Sequence, residues 1–195
     1  MEINLSEKKK SLRRECLARR RTISQANRAA WDGHIAEQVL TLPEISRAAR
    51  VFCYVSMADE VSTRKIITHL LAETKQVFVP SEDHKLLHRD GVFELVTGAQ
   101  QESLQRRAAI EVDAIAETLD VVIVPGIAWD RDGFRVGFGG GYFDRLLADL
   151  RPDARTVGLA YDLQIVEGGV PRDPWDQAVD VLVTETSVIV PGVSE

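Results

Sequence analysis

Residues Arg50–Pro80, "RVFCYVSMADEVSTRKIITHLLAETKQVFVP", hold the three signals whose order decides the fold. "RVFCYVS" (Arg50–Ser56) is too apolar to have a wet face, the pattern of a strand buried on both sides. In "VSTRKIITHLLAETK" the residues Ile66, Ile67, Leu70 and Leu71 recur at helical spacing, and "QVFVP" is a second short apolar strand. Strand, helix and strand predict a β-α-β unit, and therefore parallel strands covered by helices.

The same alternation runs outward in both directions. Towards the N-terminus, Ser6 can cap a helix carrying Leu12, Cys16 and Leu17, and Ser24 a second with Trp31, Ile35 and Val39, after which Pro43 closes the region. Towards the C-terminus, "GVFELV" (Gly91–Val96), "LDVVIVPG" (Leu119–Gly126), "TVGLAYD" (Thr156–Asp162), "VDVLVTE" (Val179–Glu185) and "SVIV" read as strands. Residues 98–109 are polar and read as loop or exposed helix; the stretch after Gly126 reads as loop, then a glycine cluster, then the helix "YFDRLLADL". The pattern predicts an α/β protein with a largely parallel sheet, whose ligands gather at the carboxyl ends of the strands. No repeat, low-complexity segment or linker divides residues 1–195, so a single domain is expected.

Composition excludes several classes. With 45% hydrophobic and 28% charged residues the chain has the balance of a soluble globular protein. Its formal net charge of -6 argues against broad nucleic-acid binding. The start, "MEINLSEKKKSLRREC", mixes acids and bases where a signal peptide needs an apolar core, and no run has the length of a membrane span, so a cytoplasmic protein with no membrane partner is expected. Cys16 lies in a charged helical pattern and Cys53 in an apolar strand, which predicts no structural disulfide. None of the four histidines has zinc spacing, and no nucleophile elbow is present.

The stretch richest in chemistry is "RVGFGGGYFDRLL" (Arg135–Leu147), with four glycines in the five positions Gly137–Gly141. Such a run allows positive φ and close backbone approach, and a helix starting near Tyr142 aims unsatisfied N–H groups into it, a place for an anion such as phosphate with Arg135 as a charged donor. A plain structural turn fits the glycines equally well. Tyr142-Phe143 stands where a P-loop needs Lys and Ser or Thr. Asp144 reads either as an acid favoured in a first helical turn or as a ligand for Mg²⁺ bridging phosphate oxygens, with Asp180 at the head of "VDVLVTE" as a possible second carboxylate. Lys9 and Arg13, four apart, share a helix face that can hold a polyphosphate or simply be solvated.

Taken together, several segments resemble the 5-formyltetrahydrofolate cyclo-ligase family, also called methenyltetrahydrofolate synthetases. They are "KKSLR" (Lys9–Arg13), "YVSMADEVST" (Tyr54–Thr63), "VPGIAWDRDGFRVGFGGGYFDRLL" (Val124–Leu147), "GLAYDLQ" (Gly158–Gln164) and "DQAVDVLVTE" (Asp176–Glu185), in the family's order over nearly the whole chain. The resemblance implies a three-layer α/β/α fold with an N-terminal helical segment, acting as a monomer on small molecules. It implies closure of 5-formyltetrahydrofolate to 5,10-methenyltetrahydrofolate with ATP as co-substrate and Mg²⁺ as cofactor. Carried over residue by residue, Lys9, Arg13, Arg135, Gly137, Phe138, Gly139, Gly140, Gly141 and Tyr142 bind ATP, and Asp144 and Asp180 hold Mg²⁺. Val55, Glu60, Gly139, Gly140 and Tyr142 meet the folate, and Arg135, Tyr142 and Asp144 are the expected catalytic groups.

Two departures from the family pattern stand out: Phe143 replaces the usual Tyr, and the segment from Lys85 to Asp113 lacks a Gly-Ile-x-Glu-Pro-like run. Two other functions fit the same residues: a folate- or nucleotide-binding protein without turnover, and an ATP-dependent ligase for a different N-formyl substrate.

Overall fold

A computed structural model describes residues 4–57, 59–80, 92–96, 109–111 and 115–193. Three helices, α1 (Leu5–Arg21), α2 (Gln25–Thr41) and α3 (Pro43–Arg47), lead into β1 (Arg50–Cys53), α4 (Arg64–Ala72) and β2 (Gln76–Pro80). Then follow β3 (Val92–Val96), β4 (Ala109–Glu111), β5 (Val121–Val124), β6 (Ala128–Trp129), β7 (Arg135–Val136), α5 (Tyr142–Ala148), β8 (Arg155–Leu159), β9 (Val181–Val183) and β10 (Val188–Ile189). The main sheet has the order β10-β9-β8-β5-β1-β2-β3-β4, with β9, β8, β5, β1 and β2 mutually parallel. β10, β3 and β4 add antiparallel pairings at the two sides. Of the polar stretch 98–109, residues 98–108 lie outside the described residues and Ala109 opens β4.

Each central strand sends alternate residues to opposite faces, the period-2 geometry of a pleated chain. Val51, Cys53, Val77, Val79, Val121, Ile123, Val157, Leu159, Val181 and Val183 share one core with Ile35 and Val39 of α2 and Ile66 and Leu70 of α4. Phe52, Phe78, Val122, Val124 and Leu182 face the other side and pack with Trp129 and with Leu146 and Leu147 of α5. Neither face is wet, and this is why the strands read as continuous apolar runs and why three layers form. Both cysteines are free and buried.

Local rules decide several boundaries. Ser24 caps α2 as expected, its hydroxyl accepting from the Asn27 N–H at 3.2 Å. Ser6 does not cap α1; it lies inside the helix, and Asn4 is the cap, its side chain accepting from the Ser6 N–H at 3.1 Å. Pro43 opens the short helix α3, where its fixed φ and missing N–H suit the first position. β1 stops at Cys53 because the Tyr54 carbonyl accepts from the Thr63 hydroxyl at 2.8 Å, so the chain leaves the ladder. The loop expected after Gly126 contains the two-stranded antiparallel sheet β6-β7. Asp130 Oδ1 accepts from the N–H groups of Asp132 at 3.1 Å and Phe134 at 3.0 Å, which closes that hairpin.

The indole of Trp129, fully buried, lies against Gly158 in β8: a Cβ there would stand 2.5 Å from Trp129 Cη2 and 2.8 Å from Cζ3. Gly158→Ala is therefore expected to overpack this core by about 1–3 kcal/mol and to lower the thermal midpoint by several degrees. Urea and thermal unfolding of the variant check this; an unchanged midpoint would mean that the indole has room to shift.

Candidate active site

The glycine loop follows β7 beyond the carboxyl ends of the parallel strands, the edge at which α5 begins its return across the sheet. Gly139 at φ +105 and Gly141 at φ +64 occupy conformations that L side chains rarely adopt. At Gly137 and Gly140, by contrast, an added Cβ would meet nothing within 4 Å. Glycine at those two positions is not required by the protein's own packing. The helix α5 starts on Gly141 without a side-chain cap, so its first N–H groups turn towards the loop.

Cations from two distant parts of the chain, Lys9 and Arg13 of α1 and Arg135 of β7, gather around this loop and the turn that carries Asp173 and Asp176. Arg13 Nε donates to the Gly137 carbonyl at 2.6 Å, which ties α1 to the loop. One turn earlier, Lys9 Nζ sits 2.7 Å from Asp173 Oδ2 and 2.5 Å from Asp176 Oδ2. Burial by itself would lower the Lys9 pKa, but these two carboxylates overcome it and raise it. Arg135, its side chain almost wholly buried, donates to the Gln177 carbonyl and to Asp144 Oδ1, both at 2.9 Å. Burial pulls its pKa below the ordinary value, opposed by the charges of Asp144 and Asp176.

Asp144 also accepts from the Gln177 N–H at 3.4 Å, one residue from Asp176. The pair of carboxylates facing Arg135 is thus Asp144 and Asp176. Asp180 lies elsewhere: it precedes β9 at the amino edge of the sheet, where Oδ2 accepts from the Thr156 N–H at 2.7 Å and hydroxyl at 2.8 Å, and Arg155 pairs with it. The two acids that sequence reading passed over are Asp173 and Asp176. A signal for Asp176 was available, because the first residue of a parallel strand lies at the amino edge whereas ligands gather at the carboxyl edge. Among the described residues no three His, Cys, Asp or Glu side chains converge on a metal position. Two carboxylates suffice for Mg²⁺, which completes its shell with phosphate oxygens and water.

The Tyr142 hydroxyl is buried without a hydrogen-bond partner among the described residues, and burial raises its pKa. Phe138 within the loop and Trp175, between Asp173 and Asp176, are more than half exposed. In the connection from β1 to α4, Val55 and Met57 are exposed while Glu60 is 6% exposed. Burial raises the Glu60 pKa, opposed by the Met57 N–H that donates to it at 2.8 Å and by the Arg20 charge. Phe143 packs into both cores of the sheet, in edge contact with Phe52 and with Tyr142.

The sequence model of the 5-formyltetrahydrofolate cyclo-ligase family matches residues 5–185, nearly the whole chain. The chain belongs to this family. The mouse 5-formyltetrahydrofolate cyclo-ligase is 27% identical over 202 residues, covering 95% of this chain and 97% of the relative. The Escherichia coli K12 protein of the same name is 29% identical over 181 residues, covering 87% and 96%. The solved structure of Aquifex aeolicus 5,10-methenyltetrahydrofolate synthetase superposes with a TM-score of 0.76 at 30% identity, over 96% of this chain and 94% of that one. The cyclo-ligase fold is thus a parallel-centred α/β sheet whose carboxyl edge here carries the loop, three cations and the acids Asp144, Asp173 and Asp176. No helix among the described residues is long and apolar enough to cross a membrane.

Proposed function

We propose that this cyclo-ligase family member converts 5-formyltetrahydrofolate to 5,10-methenyltetrahydrofolate with cleavage of MgATP to ADP and phosphate. The observation that carries the reading is the convergence of Lys9, Arg13 and Arg135 on one glycine loop beside Asp144 and Asp176. The ATP phosphates lie along Gly137–Tyr142 with those three cations around them. Asp144 and Asp176, rather than Asp180, hold Mg²⁺, which when bound neutralises phosphate charge. Lys9 and Arg135 already have carboxylate partners, so MgATP would replace these pairs sign for sign, phosphate for carboxylate at the two cations and metal for guanidinium or ammonium at the acids, while Arg13 rests on the Gly137 carbonyl.

In the reaction the N5-formyl oxygen attacks the γ-phosphorus, and the bond to the bridging oxygen of ADP breaks. The resulting iminium-like phosphate ester is attacked at carbon by the N10 amine, which gives up its proton as the carbon–oxygen bond breaks and phosphate leaves. The protein's task is positioning and charge neutralisation, with no covalent nucleophile required. Gly139 and Gly140 let the folate approach the phosphate closely, and the Tyr142 hydroxyl, without a partner among the described residues, is a hydrogen-bonding group for the formyl or pterin. Val55 and Glu60 hold the folate from the β1–α4 connection.

The test is the methenyl absorbance of purified protein mixed with 5-formyltetrahydrofolate and MgATP, each omitted in turn. Product that needs all three supports the reading. No product from folded protein that binds ATP would overturn it, in favour of a binding role or another N-formyl substrate.

A further inference from the structure

The connection between β1 and α4 carries Val55, Met57 and Glu60, yet its described residues form no helix or strand. Bonds between Tyr54 and Val61 and between Ser56 and Thr63 close its two ends, and its middle is held from outside. Arg20 at the end of α1 donates to Asp59 Oδ2 at 2.9 Å, and Asp32 of α2 accepts from the Ser62 N–H at 3.1 Å. Arg28, also in α2, reaches three elements at once: Nη1 donates to the Asp59 carbonyl at 2.8 Å and to the Tyr161 hydroxyl at 3.3 Å, and Nη2 to the Arg20 carbonyl at 2.9 Å. The Tyr161 hydroxyl in turn donates to Asp32 Oδ1 at 2.7 Å and lies 3.3 Å from the Glu60 carbonyl.

We propose that Arg28 is a positioning residue for folate binding, acting through Glu60. The Asp59 carbonyl and the Glu60 N–H belong to one peptide plane. Arg28 holds its oxygen, and the Met57 carbonyl accepts from its N–H at 3.1 Å. The Glu60 carbonyl of the next plane lies 3.3 Å from the Tyr161 hydroxyl, which Arg28 orients. With the plane before its Cα held at both its oxygen and its N–H, Glu60 presents its carboxylate from a fixed backbone direction. A planar guanidinium fork can serve three acceptors in fixed directions; an ammonium at the same charge cannot.

The inference rests on the reading of Glu60 as a folate contact, and a double-mutant cycle separates the two. We expect Arg28→Gln to raise KM for 5-formyltetrahydrofolate about tenfold while KM for ATP stays within twofold. Arg28→Lys should restore only part of the loss, and Glu60→Gln should raise the same KM by a similar factor. Combining Glu60→Gln with Arg28→Gln should add little, because the second change acts on a contact already lost. If Glu60→Gln raises the folate KM and Arg28→Gln does not, the positioning role falls and the Glu60 reading stands. If Glu60→Gln has no effect, both fall. Parallel increases in both KM values in Arg28→Gln and Arg28→Lys, or full additivity in the double variant, would reduce Arg28 to a fold-stabilising residue and overturn the inference.

Discussion

Asp144→Asn is expected to lower MgATP-dependent turnover by about 10²–10³-fold and to raise the Mg²⁺ concentration needed for half-maximal rate. The carboxylate pairs with the buried Arg135 guanidinium at 2.9 Å, and the charge of Asp176 acts on the same guanidinium. Asparagine keeps an oxygen that can accept from Arg135, so the fold should survive, but it removes the negative charge that holds a divalent cation. Arg135 then loses the charge of its hydrogen-bonded carboxylate partner in a buried place, and a fall in stability is expected as well. Thermal midpoints measured with and without nucleotide separate the two effects. Wild-type turnover and Mg²⁺ dependence in this variant would remove Asp144 from the metal site.

Gly140→Val is expected to weaken ATP binding by at least about 100-fold with the thermal midpoint of the free protein nearly unchanged. This separation is possible because an added Cβ at Gly140 meets no protein atom within 4 Å and the position does not require positive φ. Whatever excludes a side chain there must come from outside the chain. Gly139→Ala makes the useful contrast: at φ +105, with Arg13 Nη2 3.3 Å from the added Cβ, it should cost stability as well as affinity. Calorimetric titration with ATP checks both variants. Unchanged affinity in Gly140→Val would exclude close approach of the phosphates to this loop, and a large loss of stability would make Gly140 a turn residue instead.

Both variants act on residues that were legible in the sequence, and the acids show where that legibility stops. Asp176 and Asp180 are four residues apart in "DQAVDVLV", equally acidic and equally near a strand. Chain direction places them on different edges of the sheet: Asp180 binds the head of β8, and Asp176 joins Lys9 and Arg135. The same holds for the cations. Helical spacing puts Lys9 and Arg13 on one face, but only docking of α1 on β6 and β7 shows that this face meets the glycine loop and the Asp173–Asp176 turn rather than solvent. Arg28 and Arg20 carry no motif, since their partners Asp59 and Tyr161 are 31 to 133 positions away in sequence.

By itself the sequence determined the layers of this protein: apolar runs such as "VVIV" must be buried on both faces, and the helical period of α4 must cover one of them. It also determined that positions 137–141 allow close backbone approach, because the absence of a Cβ is a local property. The tertiary structure alone decided strand direction at the sheet's edges, the hairpin β6-β7, and which charges meet. The physical reason is that burial and backbone freedom are written residue by residue, whereas an ion pair exists only when two separate segments are brought within a few ångströms by the packing of everything between them.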